Sequence, residues 1–306
     1  MQAPKPTPDI AYPPETRRRP PEFPPVFARA WGDDRYGLWI DVVIGGPLQR
    51  FRWIEPGEFE MGSHETEPQC SFDEGPPHLV RLTEGFWLAE TACSQAVWEA
   101  MMGGNPSHFK DDPQNPVERV SWDEVNRFLK KVGEMLRGVN AVLPTDAEWE
   151  YACRAGTKKA FNCGSRITPA QANYDGRDAY VDGSTDECRK KTVPVKSFAP
   201  NAWGLYQMHG NVWEWCADGM RPYDGKAQQN PRGNTGDASD APRVVRGGSW
   251  GLEWRWLRAA YRDQWRRDWS LDDRGFRFSL RPSSPAGTLK RGGGPGGARR
   301  SATGRG

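Results

Sequence analysis

Short apolar runs, each cut off after a few residues by Gly, Pro, Asp or Asn, make up most of this chain. GLWIDVVI, RFRWI, HLVRL and GFWLAE all stand between such turn-forming residues. Runs of this length suit the strands of small twisted sheets, because a helix needs an apolar stripe sustained over about ten residues or more. Gly45-Gly46 reads as a hairpin turn between two of them. Three segments differ. Ser121 and Glu124 form a capping box ahead of Val125, Phe128, Leu129, Val132 and Leu136, a spacing that buries one helical face. Thr145 and Glu148 repeat the box in TDAEWEYACRAG, where Gly156 is placed to end the helix in the left-handed region. SQAVWEAMMGG starts a shorter helix at Ser94 that stops near Gly103. The pattern predicts an α+β domain of small antiparallel sheets, two or three helices and many loops. Loops in that proportion call for local staples, either bound cations or buried Trp N–H bonds.

The domain is expected over residues 27–280, with no internal repeat. Residues 1–26 are Pro-rich and include Arg17, Arg18 and Arg19, which predicts an extended, disordered linker. Residues 281–306, rich in Gly, Pro, Ser and Arg and free of acidic groups, predict a disordered tail. With 42 basic and 40 acidic residues the net charge is +2, so no overall field draws the chain to nucleic acid or to a membrane, and neither partner is expected. The N-terminus lacks the apolar stretch of a signal peptide, and no run reaches the roughly 18 apolar residues of a membrane span; the expected location is cytoplasmic. Cys70, Cys93, Cys153, Cys163, Cys188 and Cys216 form no C-x-x-C pair, and no His stands at ligand spacing from them. That argues for buried free thiols over a zinc site or a disulfide framework.

Six segments in order carry a resemblance: EPGEFEMGS (55–63), DEGPPHLVRL (73–82), NPVERVSWDEVNRFL (115–129), LPTDAEWEYACRAGT (143–157), NAWGLYQMHGNVWEWCAD (201–218), and RVVRGGSW with its closing RGFRF (274–278). Together they resemble the formylglycine-generating enzyme, or sulfatase-modifying factor, family. The resemblance implies a C-type-lectin-like α+β fold. In members that make formylglycine, two cysteines just after the RGGS motif hold copper. In this chain that segment reads GLEWRWLRAAYRDQWRRD, and the last cysteine, Cys216, lies upstream. Trp, Leu and Arg supply no soft ligand, so no copper and no formylglycine-forming oxidase is expected. A second branch takes iron on three histidines of an added helical domain; His64, His78, His108 and His209 are isolated here, and iron is not expected either. Structural Ca²⁺ is the one cofactor the resemblance supports, at Asn173, Asp175 and Asp182 and at Asn211 and Glu214, although the same residues also make turns and caps without metal.

Other catalytic arrangements read as structure. His209 before a Gly-Asn turn is expected to be a hydrogen-bonded structural residue, and Glu148 and Glu150 face different sides of their helix. Ser249 has no adjacent activating group and is expected to bond backbone. Trp213 and Trp215 are expected in the core.

The stretch from 243 to 278 contains five of the 15 Trp and nine Arg. Leu257, Ala259, Ala260 and Phe276 fit the family's core. Between such framework positions stand Gly251, Glu253, Trp254, Trp256, Gln264, Trp265, Arg266, Arg267, Asp268 and Trp269. Trp and Arg are enriched at binding hot spots, which points to an exposed surface for a protein, peptide or glycan ligand; the alternative is a loop packing on itself. Variable proteins diversified by retroelements place their altered residues between RGGSW and GFR on this same fold. The chain therefore reads as a non-catalytic recognition domain, and the competing reading is an oxidoreductase of the family with an unrecognised cofactor.

Overall fold

In the first strands, alternate side chains turn inward. Leu38, Ile40 and Val42 are buried in β2 (Gly37–Val43), which pairs antiparallel with β1 (Ala30–Asp34) on one side and with β3 (Leu48–Ile54) on the other. Gly45 and Gly46 turn the chain between β2 and β3 with φ of 65° and 133°, as the sequence predicts. The computed structural model describes residues 18–177, 187–236 and 241–282. Most of the predicted linker (residues 1–17), most of the predicted tail (283–306) and Asp182 lie outside them.

The chain continues through β4 (Gly57–Met61), β5 (His78–Leu82), β6 (Phe86–Ala89), α1 (Gln95–Met102), α2 (Trp122–Met135), β7 (Val139–Val142) and α3 (Asp146–Arg154). Among the described residues no further helix or strand occurs before β8 (Trp213–Trp215), β9 (Gln228–Gln229), β10 (Pro242–Arg246), β11 (Arg262–Arg266), β12 (Arg274–Gly275) and β13 (Ser279–Pro282). Three sheets result, ordered β1-β2-β3-β6-β13-β7, β11-β10-β8-β12 and β4-β5-β9. Three α-helices and small, mostly antiparallel sheets make this an α+β fold.

The helices begin where the caps place them. Ser94, Ser121 and Thr145 each accept a hydrogen bond from a first-turn N–H, and the last two close full capping boxes. One end differs from expectation: the left-handed turn after α3 starts at Ala155 (φ 45°), one residue ahead of Gly156 (φ 88°). The stripe of α2 buries Val125, Phe128, Leu129 and Val132. Its Phe128 meets Phe276 at 5.4 Å and Phe278 at 5.6 Å, so the helix seals the sheet where the closing RGFRF returns through β13.

Residues 18–26, expected within the linker, rest on the domain at Arg18, Pro20, Phe23 and Pro25, while the others are exposed. Trp53 Nε1–H donates to the Arg18 carbonyl at 2.7 Å, and the Phe23 ring lies against Trp87 and Trp31. The Pro-rich composition suggested an extended chain but carried no sign of the aromatic surface it lies on.

Buried guanidinium groups fasten the long loops. Arg277 donates to both Glu214 oxygens (2.6 and 2.7 Å), Arg246 joins Asp146 to Glu150 (2.6 and 2.7 Å), and Arg258 grips both oxygens of Glu74 (2.6 Å each). All three arginines are fully buried. Charge-assisted bonds of this kind resist separation, because removing one partner leaves an ion in a medium that cannot solvate it. Tryptophans add the expected N–H bonds: Trp149 to Glu214 (2.6 Å), Trp215 to the Val120 carbonyl (3.0 Å) and Trp122 to the Cys216 carbonyl (2.9 Å).

Candidate functional site

The RGGS motif leaves β10 through two glycines that no other residue replaces without strain. Gly247 and Gly248 have φ of 92° and 71°, and a Cβ on Gly248 would stand 2.7 Å from the Leu257 side chain. The sharp exit carries the chain through a 3-10 turn at Trp254–Leu257 and back into β11, paired antiparallel with β10 so that Arg243 faces Trp265 and Val244 faces Gln264. Because β11 ends its sheet, no strand among the described residues lies beside its outer edge.

The candidate residues divide into two groups. Trp254 is buried, only 7% exposed, among Ala160, Phe161, Ile167, Tyr174 and Leu257, so the expected exposed position is a core anchor. The cause lies far away in sequence, in the loop after α3 that covers it. Trp256 is half-buried against the edge of Tyr261 at 4.9 Å, and Glu253 pairs with Arg255 beside the exposed Gly251. Arg267 is held by Asp123 at the start of α2 (2.7 Å) and lies 4.8 Å over the Trp122 ring. Gly251 apart, these residues support the loop.

The second group is turned to solvent. On β11 and the turn beyond it, Gln264, Arg266, Asp268 and Trp269 are exposed and Trp265 is half-buried; Trp269 is 45% exposed. The two indoles lie 5.7 Å apart, and Arg266 forks onto Asp268 at 2.8 and 3.1 Å. Trp265 is fixed from below: its Nε1–H donates to Asp263 at 3.1 Å, and the Arg274 guanidinium sits 4.1 Å from its ring centre. Arg274 is buried with no hydrogen bond to Nε or Nη1, and burial lowers its pKa; burial also raises those of Asp263 and Asp273. The site thus presents a rigid aromatic pair with a forked ion pair beside it.

Sequence reasoning missed Arg274, Asp263 and the loop before β5. That loop exposes Phe72 (96%) and is bound to the C-terminal segment by Arg258 on Glu74 and by Arg262 on the Asp73 carbonyl (2.6 and 3.0 Å). Nothing in the local sequence near Phe72 signals partners nearly 190 positions away.

The catalytic candidates are tied into structure. His209 is buried: its Nδ1–H donates to the Leu257 carbonyl at 2.6 Å, and its Nε2 accepts from the Asn162 N–H at 3.0 Å. Burial lowers its pKa to about 4. Ser249 donates to the Asp273 carboxylate at 3.2 Å, a side-chain partner where backbone was expected. Cys93, Cys153 and Cys216 are buried and their thiols are pushed up by burial, away from the thiolate that binds metal. The segment after RGGS holds Trp, Leu, Glu and Arg, a donor set that does not fit copper. Among the described residues no three His, Cys, Asp or Glu side chains converge as metal ligands.

The expected Ca²⁺ ligands are engaged within the protein. Both Glu214 oxygens are held by Arg277 and Trp149. The Asn211 Oδ1 accepts from Asn173 Nδ2 (3.0 Å) and from the Val193 N–H (2.9 Å). At 211 and 214 the donors therefore do not fit a cation, which needs those same oxygens free. Asn173 Oδ1 is buried without a partner, while Asp175 turns to Arg177 at 2.8 Å, which holds its pKa down to about 2.

Residues 46–281 match the family of sulfatase-modifying factor enzyme 1-like domains. The formylglycine-generating enzymes of Thermomonospora curvata and Streptomyces coelicolor are each 35% identical to the chain, over 176 and 201 residues. The matches cover 54% and 61% of this chain and 52% and 60% of those proteins, so the chain spans a little over half the length of these relatives. Among solved structures, Treponema denticola variable protein 1 superposes with a TM-score of 0.67 at 24% identity, covering 80% of this chain and 99% of its own, a likeness of fold.

Proposed function

The chain belongs to the sulfatase-modifying factor enzyme family, and on that premise we propose that it is a non-catalytic recognition domain whose protein, peptide or glycan ligand sits on β11 and the turn after it. The observation that carries this reading is the exposed Trp269 beside the half-buried Trp265, with Gln264, Arg266 and Asp268 exposed around them, in the segment where copper-bearing relatives would need thiols. Rigid indoles contribute contact area at small conformational cost, and the polar groups beside them give direction. Its position between RGGSW and GFR supports kinship with variable proteins. A near-identical repeat of this coding segment beside a reverse transcriptase would make it a diversified surface; without one it is a fixed binding module.

The test is selection of displayed peptides and arrayed glycans on the intact protein, repeated on Trp269→Ala and Gln264→Ala. Ligands should be recovered on the parent and lost on variants that melt like it. Oxygen consumption with copper and a cysteine-containing sulfatase peptide is the opposing assay, and turnover there would overturn the proposal in favour of an oxidoreductase.

A further inference from the structure

A cleft of about 980 Å³ opens away from the segment discussed above, between the β1–β2 hairpin and the strands β4 and β5. Its walls are the aromatic side chains of Tyr36, Trp53, Tyr151 and Trp203, and carboxylates of Glu55 and Glu58 stand at its rim. Tyr151 and Trp203 meet edge to face at 4.7 Å, so the aromatic wall is braced. One side, at Arg35 to Leu38, comes from residues that precede the matched span of 46–281.

Arg18 lies on the rim, and its backbone is already captured there. Its N–H donates to Glu55 at 3.0 Å, and its carbonyl accepts from the Trp53 indole at 2.7 Å. The chain beyond it stays on the aromatic surface: Pro20 and Pro25 are buried, and the Phe23 ring stacks on Trp87 at 6.1 Å. An indole N–H on a backbone carbonyl, with prolines laid on aromatic faces, is how aromatic grooves take proline-rich segments, whose carbonyls point outward and whose backbone loses little entropy on binding. The 17 residues ahead of Arg18 contain Pro4, Pro6, Pro8, Pro13 and Pro14. At about 3.1 Å per residue in polyproline II, a segment of that length reaches past the whole cleft.

We propose that this cleft is the seat of the chain's own residues 1–17, a proline-rich segment laid on Tyr36, Tyr151 and Trp203 as a continuation of the contacts made by Arg18. Tethering supplies the segment at a millimolar effective concentration, so modest contacts suffice to hold it.

The experiment uses full-length protein labelled with 5-fluorotryptophan, with the Trp203 fluorine resonance identified through Trp203→Phe. A full-length variant with Pro4, Pro6, Pro8, Pro13 and Pro14 all changed to Ser keeps every described contact. In that variant the Trp203 resonance should shift and its solvent-isotope effect should rise. A synthetic peptide of residues 1–17, added at millimolar concentration, should return both toward the parent values. No difference between parent and variant overturns the proposal, and so does a variant whose altered resonance the peptide fails to move. If an unrelated proline-rich peptide moves it and the peptide of residues 1–17 does not, the cleft takes foreign segments and the assigned occupant is wrong.

Discussion

Acidification from pH 7 to pH 5 tests one buried group, His209, against a variant that lacks it. A free imidazole titrates at 6.5, and burial holds this one at about 4. Loss of hydration is the main cause; the Nδ1–H bond to the Leu257 carbonyl opposes it, while a proton on Nε2 would point at the Asn162 N–H, and Arg154 adds a nearby positive charge. Between those two pH values the unfolded chain binds a proton that the folded chain refuses, so lowering the pH favours unfolding. Linkage with 6.5 unfolded and about 4 folded gives a loss of about 2 kcal/mol between pH 7 and pH 5. The measurement is urea unfolding at both pH values for the parent and for His209→Gln. Other titrating groups are common to both proteins, so the difference of differences reports His209 alone. The parent should lose about 2 kcal/mol more than the variant. Equal losses would show that the imidazole is not held neutral, and the burial argument would fail.

Two further substitutions separate the core from the surface in the C-terminal segment. Trp254→Ala should cost about 3 to 5 kcal/mol in a denaturation curve because it empties a packed site, whereas Trp269→Ala should stay within about 0.5 kcal/mol. Glu214→Gln strands the buried Arg277 and should cost about 3 to 5 kcal/mol; added Ca²⁺ should leave the parent's melting temperature unchanged, and a rise in the parent that the variant lacks would show Glu214 to be a cation ligand. Gly248→Ala should lower stability by more than about 1 kcal/mol, since it forces a side chain into a left-handed backbone against Leu257.

The helices were legible because their signals are local: Ser121 and Glu124 stand three positions apart, and the apolar stripe of α2 lies within 14 residues. The β2–β3 turn was legible for the same reason. What failed needed distant partners. Arg277 finds Glu214 across 63 positions, and Arg258 finds Glu74 across 184. With those guanidinium groups out of view, Glu214 and Asn211 read as oxygens available to a cation. Trp254 was misplaced by the same blindness, since its cover comes from Ala160 to Tyr174. At the site itself, Gln264, Trp265, Arg266, Asp268 and Trp269 were legible as residue types, while the support from Arg274 and Asp263 was not.

The fixing of Trp265 on Arg274 also constrains how this surface can change over generations. Along β11 neighbouring residues point to opposite faces: Gln264 and Arg266 are exposed on one, while Asp263 and Trp265 lie on the other, where the Trp265 ring meets Arg274. Losing or gaining a single residue between Arg262 and Trp265 would exchange those faces, carrying the indole off its support. Replacement at 264, 266, 268 and 269 disturbs none of the buried bonds. The surface is thus free in composition and fixed in length, so relatives that keep the Arg262 clamp and the Trp265–Arg274 stack are expected to vary here by substitution, with insertions and deletions displaced to the turn beyond Arg266.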